Sequence, residues 1–283
     1  MTYRSVLVLL DAGPQCAPRT QVAVRLAKVL DCHLVGLAPT GLVDMPVSAV
    51  AAASLADFAA LASDTLREQA QQSAQAFRDA CRTAGLKSFE AVVDESDKAL
   101  SLVHHAHCSD LTLLTQADPG SPGHRVAQEL VEQVVLYSAR PTLILPHAGH
   151  FDSVGSNAMV AWDDTREAAR ALSDALPLLR LAERVQVVSW NEPGARANND
   201  ENLLRPRLDA LRQWLLWQGI TAEVGVETST IAIAEAMLSR AADLGADLIV
   251  MGAYGHARWT ERVLGGATRG VLASMTAPVL MSH

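Results

Sequence analysis

Short apolar runs alternate with amphipathic stretches along the whole chain. The run from Leu248 to Gly252 carries no charge, as expected for a parallel strand that is buried on both faces. Near the start of the chain, a similar run closes at Asp11 and is followed by a stretch with helical periodicity. Gly85 and Gly219 each end a predicted helix and precede a predicted strand. The pattern therefore predicts strands and helices in alternation.

The chain contains two copies of one unit. The segment that begins SDLTLLTQADPG and the segment that begins ADLIVMGAYGHA align with each other without a gap, and the alignment runs to the end of each half. Asp110 in the first segment matches Asp247 in the second. The starts of the halves also correspond, because SVLVLLD closes at Asp11 and NAMVAWD closes at Asp163. The copies differ mainly at residues 39–62, where the first half carries extra small residues that we expect to form a loop and a helix.

Within each half, five predicted strands alternate with four predicted helices. This order predicts an α/β fold with two tandem, doubly wound, Rossmann-like parallel sheets, each with helices on both faces and right-handed crossovers. We place the domains at residues 1–147 and 156–283, joined by the Gly-, Ser- and His-containing segment 147–156. In such sheets, ligands bind beyond the carboxyl ends of the strands, at the switch point of the strand order.

Composition and charge narrow the functional classes. The 283 residues are 49% hydrophobic and 19% charged, which is typical of globular domains with their own cores. A formal net charge of −8 gives no electrostatic argument for a nucleic-acid partner. The first apolar run is too short to span a membrane and does not resemble a signal peptide, and the four cysteines fit no zinc or redox motif. We therefore expect a cytoplasmic protein without a membrane partner.

The strongest candidate for chemistry is the loop after the Leu248–Gly252 strand. Gly252 and Gly255 bracket its start, and nine residues then separate Gly255 from Gly265. Gly266 follows and opens a helix-compatible run. Backbone N–H groups at such a helix start can approach an anion closely when no side chain intervenes. The same glycines would also suit tight turns and close helix–sheet packing, and both interpretations are kept open.

The second half resembles the universal stress protein family, and in architecture the resemblance extends over nearly the whole chain as a tandem member. The nucleotide pattern of that family is Gly, two residues, Gly, nine residues, Gly, then Ser or Thr. Gly252, Gly255 and Gly265 match this pattern, whereas Gly266 replaces the hydroxyl residue. The replacement keeps the backbone N–H and removes one hydroxyl donor, which would weaken binding by about 0.5–1.5 kcal/mol.

The resemblance implies a site in the second half for ATP, with or without Mg²⁺. Asp163 would face the ribose or the adenine, Val188 would line the adenine pocket, and Met251 and Gly252 would meet the ribose and α-phosphate. The positions assigned to the remaining phosphate contacts are Gly255, Gly265, Gly266, Ala267 and Thr268.

The first half lacks this pattern. The positions aligned with the four glycines are occupied by Thr115, Asp118, Gln128 and Glu129. Two carboxylates would repel phosphate there, and the freedom that glycine gives the backbone is missing. We therefore expect that this half has kept the fold and lost the site.

Metal binding and catalysis have little support in the sequence. His104 and Cys108 would share one helix face, but the aligned segment of the second half is an ordinary helix end, where histidines also suit the helix dipole. The chain has no G-x-S-x-G motif, and no lysine follows the glycine loop as in a P-loop. We predict neither catalytic nor metal-binding residues. Slow hydrolysis of ATP stays open.

The last strand of each half, Pro141–Leu145 in the first and Pro278–Met281 in the second, is predicted to be short and apolar and to begin at a proline, as at a sheet edge. In the universal stress family, these strands pair across a dimer. The two halves would therefore pair with each other as an intramolecular pseudo-dimer, and a homodimer is left open. The resulting hypothesis is a stress-response protein that binds an adenine nucleotide and acts on an unknown protein partner, not by turnover. The alternatives are a nucleotide-free interaction module and a slow ATPase.

Overall fold

The fold was obtained as a computed structural model that describes residues 2–41, 52–191, 201–255 and 266–283. The elements of the first half are β1 (Ser5–Leu9), α1 (Cys16–Leu30), β2 (His33–Pro39), α2 (Ala52–Thr83), β3 (Phe89–Asp94), α3 (Lys98–His107), β4 (Leu111–Thr115), α4 (His124–Tyr137) and β5 (Thr142–Leu145). Those of the second half are β6 (Asn157–Ala161), α5 (Arg166–Leu179), β7 (Arg184–Asn191), α6 (Glu201–Trp217), β8 (Ala222–Thr228), α7 (Ile233–Asp243), β9 (Leu248–Gly252), α8 (Gly266–Ser274) and β10 (Val279–Ser282). The predicted alternation and α/β fold class are confirmed.

The strands in the described ranges form one ten-stranded sheet in the order β3-β2-β1-β4-β5-β10-β9-β6-β7-β8. Each half contributes five parallel strands in the doubly wound order. The halves join through antiparallel pairing of β5 with β10, with Val279 opposite Ile144 and Met281 opposite Thr142. The predicted pairing of the two last strands is therefore confirmed, and each strand covers the edge of the other.

The repeat is visible in the hydrogen bonds that start each half. The Asp110 carboxylate accepts hydrogen bonds from the backbone N–H groups of Arg4 and Ser5, at 2.7 and 2.9 Å. The aligned Asp247 carboxylate accepts from the backbone N–H groups of Ser156 and Asn157, at 3.2 and 2.7 Å. In both halves an aspartate before the fourth strand therefore holds the start of the first strand.

Helices cover both faces of the sheet. Buried residues of α1, α2, α5 and α6 pack on one face, and those of α3, α4, α7 and α8 pack on the other. The central strands are buried on both faces, which explains why they read as continuous apolar runs. Gly85 and Gly219 follow α2 and α6 with φ of +68° and +79°, a helix-ending conformation that glycine adopts without strain.

Differences from the sequence expectations are small. Pro141 and Pro278 lie just before β5 and β10, not inside them, although their carbonyls still accept strand hydrogen bonds from Thr112 and Ile249. The extra segment of the first half contributes the start of α2 at Ala52, and residues 42–51 lie outside the described ranges. Among the described residues, no helix is both long and apolar enough to cross a membrane.

Candidate functional site

The candidate site lies at the carboxyl edge of the second half, where the strand order changes direction between β6 and β9. These strands are neighbours and parallel, with Val160 opposite Val250. One crossover leaves β6 through α5, and another leaves β9 through α8, on the opposite face of the sheet. The carboxyl ends at such a switch point leave a crevice in which ligands of doubly wound folds bind.

Asp163 follows β6 and is exposed. Its Oδ1 accepts hydrogen bonds from the backbone N–H and the hydroxyl of Thr165, at 3.2 and 2.6 Å. The Thr165 hydroxyl in turn accepts from the Ala168 N–H at 3.2 Å and caps α5. Through these bonds the start of α5 fixes the carboxylate of Asp163 at the edge of the sheet.

Val188 and Met251 are apolar residues of the two strands that flank β6. Val188 of β7 pairs with Ala161 of β6, and the Val188 carbonyl accepts a hydrogen bond from the Trp162 N–H at 2.9 Å. Met251 lies in β9 opposite Met281. Both side chains are buried, so a ligand at this edge would meet their ends and not displace them.

Gly252 allows α5 to approach β9 closely. A Cβ at this position would lie 2.6 Å from the Ala168 backbone nitrogen and 2.6 Å from the Glu167 carbonyl carbon. Because both are backbone atoms, rotating a side chain could not relieve the clash. The φ of Gly252 is not in the left-handed region. At this glycine, close helix–strand packing therefore explains the residue without any ligand.

Gly255 lies against a buried carboxylate. A Cβ at this position would be 3.0 Å from Oε2 of Glu167 and 3.6 Å from the Thr165 hydroxyl. Glu167 is 5% exposed and belongs to the first turn of α5, and its Oε1 accepts from Nε of Arg166 at 2.7 Å. Asp163, Gly252 and Gly255 are thus brought together around the start of α5.

The charge of Glu167 affects what this edge can bind. Desolvation by burial raises the pKa of Glu167, but the hydrogen bonds from Arg166 and from the Glu167 backbone N–H, with the charges of Arg166 and His283, outweigh it and leave the pKa below its usual value. The side chain therefore carries a negative charge at neutral pH. A carboxylate next to Gly255 disfavours a bare phosphate there.

The start of α8 is more open. Gly266 is exposed, and a Cβ built on it would meet no heavy atom of residues 2–41, 52–191, 201–255 or 266–283 within 4 Å. Ala267 is half-buried, whereas Thr268 is 3% exposed and its hydroxyl accepts from the Tyr254 N–H at 3.2 Å. Thr268 therefore joins the start of α8 to Tyr254. Gly265 lies outside the described residues.

The first half has a different arrangement at the same edge. The guanidinium of Arg19, which is 2% exposed, donates to the Leu9 carbonyl at 2.8 Å, to the Thr115 hydroxyl at 2.7 Å and to Oδ2 of Asp11 at 2.8 Å. Asp11 aligns with Asp163, and Thr115 aligns with Gly252. Counted from those aspartates, Arg19 corresponds to Ala171, which is fully buried. An internal arginine thus joins the ends of β1 and β4.

The sequence pattern did not predict the roles of Arg19 and Glu167. These two residues most strongly determine the charge at the carboxyl edges of the first and the second half. Arg19 stands alone among apolar positions on the buried face of α1, and a cation on that face was a usable signal. Glu167 gave no such signal, because an acid in the first turn of a helix usually faces water and favours the helix dipole. The histidine segment of α3 is a helix end as predicted, with His104, His105 and His107 in its last turn.

Comparison with known proteins identifies relatives by family and by fold. A model described as the Universal stress protein family matches residues 156–283. A universal stress protein from Archaeoglobus fulgidus superposes with a TM-score of 0.74 at 17% identity, covering 98% of this chain and 95% of its own. A functionally unknown protein from Pseudomonas aeruginosa gives 0.61 at 16% identity, covering 99% and 92%. At these identities the superpositions show the fold alone. No curated protein matches the sequence.

Proposed function

Because the chain belongs to the universal stress protein family through residues 156–283 and has the two-domain fold of such proteins throughout, we propose that its second half binds an adenine nucleotide, with ATP as the first candidate. Binding would change the loop between β9 and α8, and a partner protein would recognise that change. The first half would support the second through the shared sheet and bind no nucleotide.

The open start of α8 is the observation that carries this proposal. Packing explains Gly252, but no atom of the described residues lies within 4 Å of a Cβ built at position 266, so their packing does not require a glycine there. A helix start with exposed backbone donors favours anionic groups, and α8 has no acid in its first turn. The aligned residue of the first half is the acid Glu129, which lies in the second turn of α4 because that helix begins earlier, at His124.

The remaining residues suit the other parts of a nucleotide. The exposed Asp163 carboxylate offers acceptor capacity to the hydroxyl groups of a ribose. Val188 in β7 and Met251 in β9 are buried apolar residues of the strands on either side of β6, and in the proposal they back the base from within the core. Glu167 opposes bare phosphate, so we propose Mg²⁺-bound ATP as the ligand, because the ion reduces the negative charge that the carboxylate repels.

We propose ligand-dependent interaction and not turnover. The sequence lacks the lysine that would accompany a phosphoryl-transfer loop. A nucleotide-free interaction module is the second candidate, and the ionised Glu167 against Gly255 favours it. The experiment below separates the two functions.

The test compares Gly266→Glu with Gly266→Ala. We expect the wild type to bind ATP with Mg²⁺ in equilibrium dialysis and to gain melting temperature. Gly266→Ala keeps the backbone N–H and should bind within about threefold of wild type. Gly266→Glu places the first half's residue at the helix start and should bind at least about tenfold more weakly. The Cβ that both changes add would meet no atom in the part of the chain that the structure describes, so both variants should fold.

The outcomes distinguish the candidates. Absence of binding in the wild type at millimolar ATP would establish the nucleotide-free module. Equal binding by both variants would place the nucleotide away from the start of α8. Release of inorganic phosphate that follows the same order of variants would favour the slow ATPase.

A further inference from the structure

A pocket of about 250 Å³ lies where the two halves meet, away from the candidate nucleotide site. The loop after β4 and the helix α4 line it from the first half, and α8 closes it from the second. The lining residues that would contact a ligand in this pocket include Gln116, Ala117, His124, Val131, Leu272 and Ala273. The lining is mostly apolar, and an apolar cavity of roughly 150 Å³ is already large enough for benzene.

Three polar side chains line the pocket, those of Gln116, His124 and Gln128, and Nε2 of Gln128 donates to Oε1 of Glu132 at 3.1 Å. Both ends of the Gln116 amide are engaged, since its Nε2 donates to the Leu272 carbonyl at 2.8 Å and its Oε1 contacts His147 Nδ1 at 2.9 Å. His124 Nδ1 is buried and has no hydrogen-bond partner among the described residues. A buried polar atom without a partner is destabilising, so a ligand that supplies a hydroxyl here is favoured.

The internal repeat indicates the shape of the ligand. The Gln116 N–H donates to the Leu145 carbonyl at 2.8 Å, and the aligned Ala253 N–H donates to the Ser282 carbonyl at 2.9 Å. The chain paths therefore correspond up to the next residue, which is Ala117 in one half and Tyr254 in the other.

Tyr254 fills the second half's side of the seam. Its side chain is buried, its ring packs edge-on against His283, and burial and the charge of Glu132 in α4 raise the pKa of its hydroxyl. The backbone of Tyr254 has φ of +61°, whereas Ala117 is not in that region. In the first half, the side chain at the aligned position is the smaller one of Ala117, and the space that it does not fill is the pocket.

We propose that the seam pocket binds a small monocyclic phenol, held between α4 and α8 with its hydroxyl on His124 Nδ1. A bound ring would contact both halves and stabilise their association. This site is independent of the proposed nucleotide site.

The probe is p-cresol, the side chain of tyrosine as a free molecule, and toluene is its match without the hydroxyl. We expect saturable shifts in the ¹H–¹⁵N spectrum of the wild type at the amides of Ala117, His124 and Leu272, with a Kd on the order of 0.1–1 mM. Toluene should bind about threefold to tenfold more weakly. In His124→Phe the two probes should bind equally.

Ala117→Tyr should occupy the pocket and weaken p-cresol binding at least about tenfold. Ala169→Tyr adds the same ring at an exposed position of α5 and should leave binding unchanged. No saturable binding to the wild type at about 10 mM p-cresol would overturn the proposal, as would undiminished binding to folded Ala117→Tyr. If that variant does not fold, shifts in the wild type that map elsewhere overturn the proposal.

Discussion

The two halves share one fold and differ at the edge where doubly wound sheets bind ligands. In the first half, Arg19 joins the ends of β1 and β4 and pairs with Asp11. In the second half, the corresponding Ala171 carries no such group, Asp163 is exposed, and the start of α8 is open at Gly266. The comparison shows that one scaffold can hold an internal ion pair at an edge where the other half has an exposed aspartate and no buried arginine. The sheet and its helices stay the same because they depend on apolar positions that both halves keep.

The largest effect should come from the internal arginine. Arg19→Ala removes the guanidinium that donates to the Leu9 carbonyl, the Thr115 hydroxyl and Oδ2 of Asp11, and we expect the free energy of unfolding to fall by about 2–4 kcal/mol. The estimate lies below the full cost of breaking a buried pair because the Asp11 side chain is 32% exposed and water can reach it. Urea denaturation would measure the change.

The matched control is Arg125→Ala in the same half. Arg125 is 90% exposed and pairs with Glu129 one helical turn away, so its loss should change stability by about 0.5 kcal/mol or less. Similar losses for the two variants would show that Arg19 does not hold the edge together.

The next effect concerns the glycine that replaces Thr115 in the second half. Gly252→Ala should destabilise the protein by about 1–3 kcal/mol, because its Cβ would meet the α5 backbone at 2.6 Å. Gly266→Ala adds a Cβ that meets none of the described residues, and it should be neutral or stabilise by up to about 1 kcal/mol. Thermal and urea denaturation of both variants would test this, and a neutral Gly252→Ala would mean that α5 moves away easily.

A smaller effect is expected on nucleotide affinity, and it depends on the proposed function. Glu167→Gln removes the negative charge next to Gly255, and we expect binding of ATP with Mg²⁺ to tighten by roughly threefold to tenfold. Glu223→Gln changes an exposed acid of β8 and serves as the control. Equilibrium dialysis would measure both, and weaker binding in Glu167→Gln would mean that the carboxylate helps to hold the ion.

The smallest effect is a pH dependence from the same residue. The folded-state pKa of Glu167 lies below the unfolded value of about 4.3, so its ionised form stabilises the fold above that value. This contribution is lost as pH falls through the lowered folded pKa. The stability advantage of wild type over Glu167→Gln should therefore shrink in urea titrations between about pH 6 and about pH 3. An advantage that grows in acid would mean that the pKa is raised.

Much of the fold was predictable because its signals are local and occur twice. The apolar run of β9 and the helix-ending Gly85 and Gly219 each act within a few residues, and alignment of Asp110 with Asp247 showed the repeat. Pairing of β5 with β10 followed from the family resemblance and the edge character of both strands. The site residues remain predictions, although Asp163, Gly252 and Gly255 do lie together at the start of α5.

The sequence by itself determined the order of strands and helices, the internal repeat and the loss of the glycine pattern in the first half. Only the tertiary structure decided what occupies each edge. Arg19 reaches Thr115 across the sheet, Glu167 lies against Gly255, and Ala117 leaves a pocket beside Leu272, each between residues far apart in the chain. Periodicity encodes which face of an element is buried, but it does not encode which distant atom a buried polar group will meet.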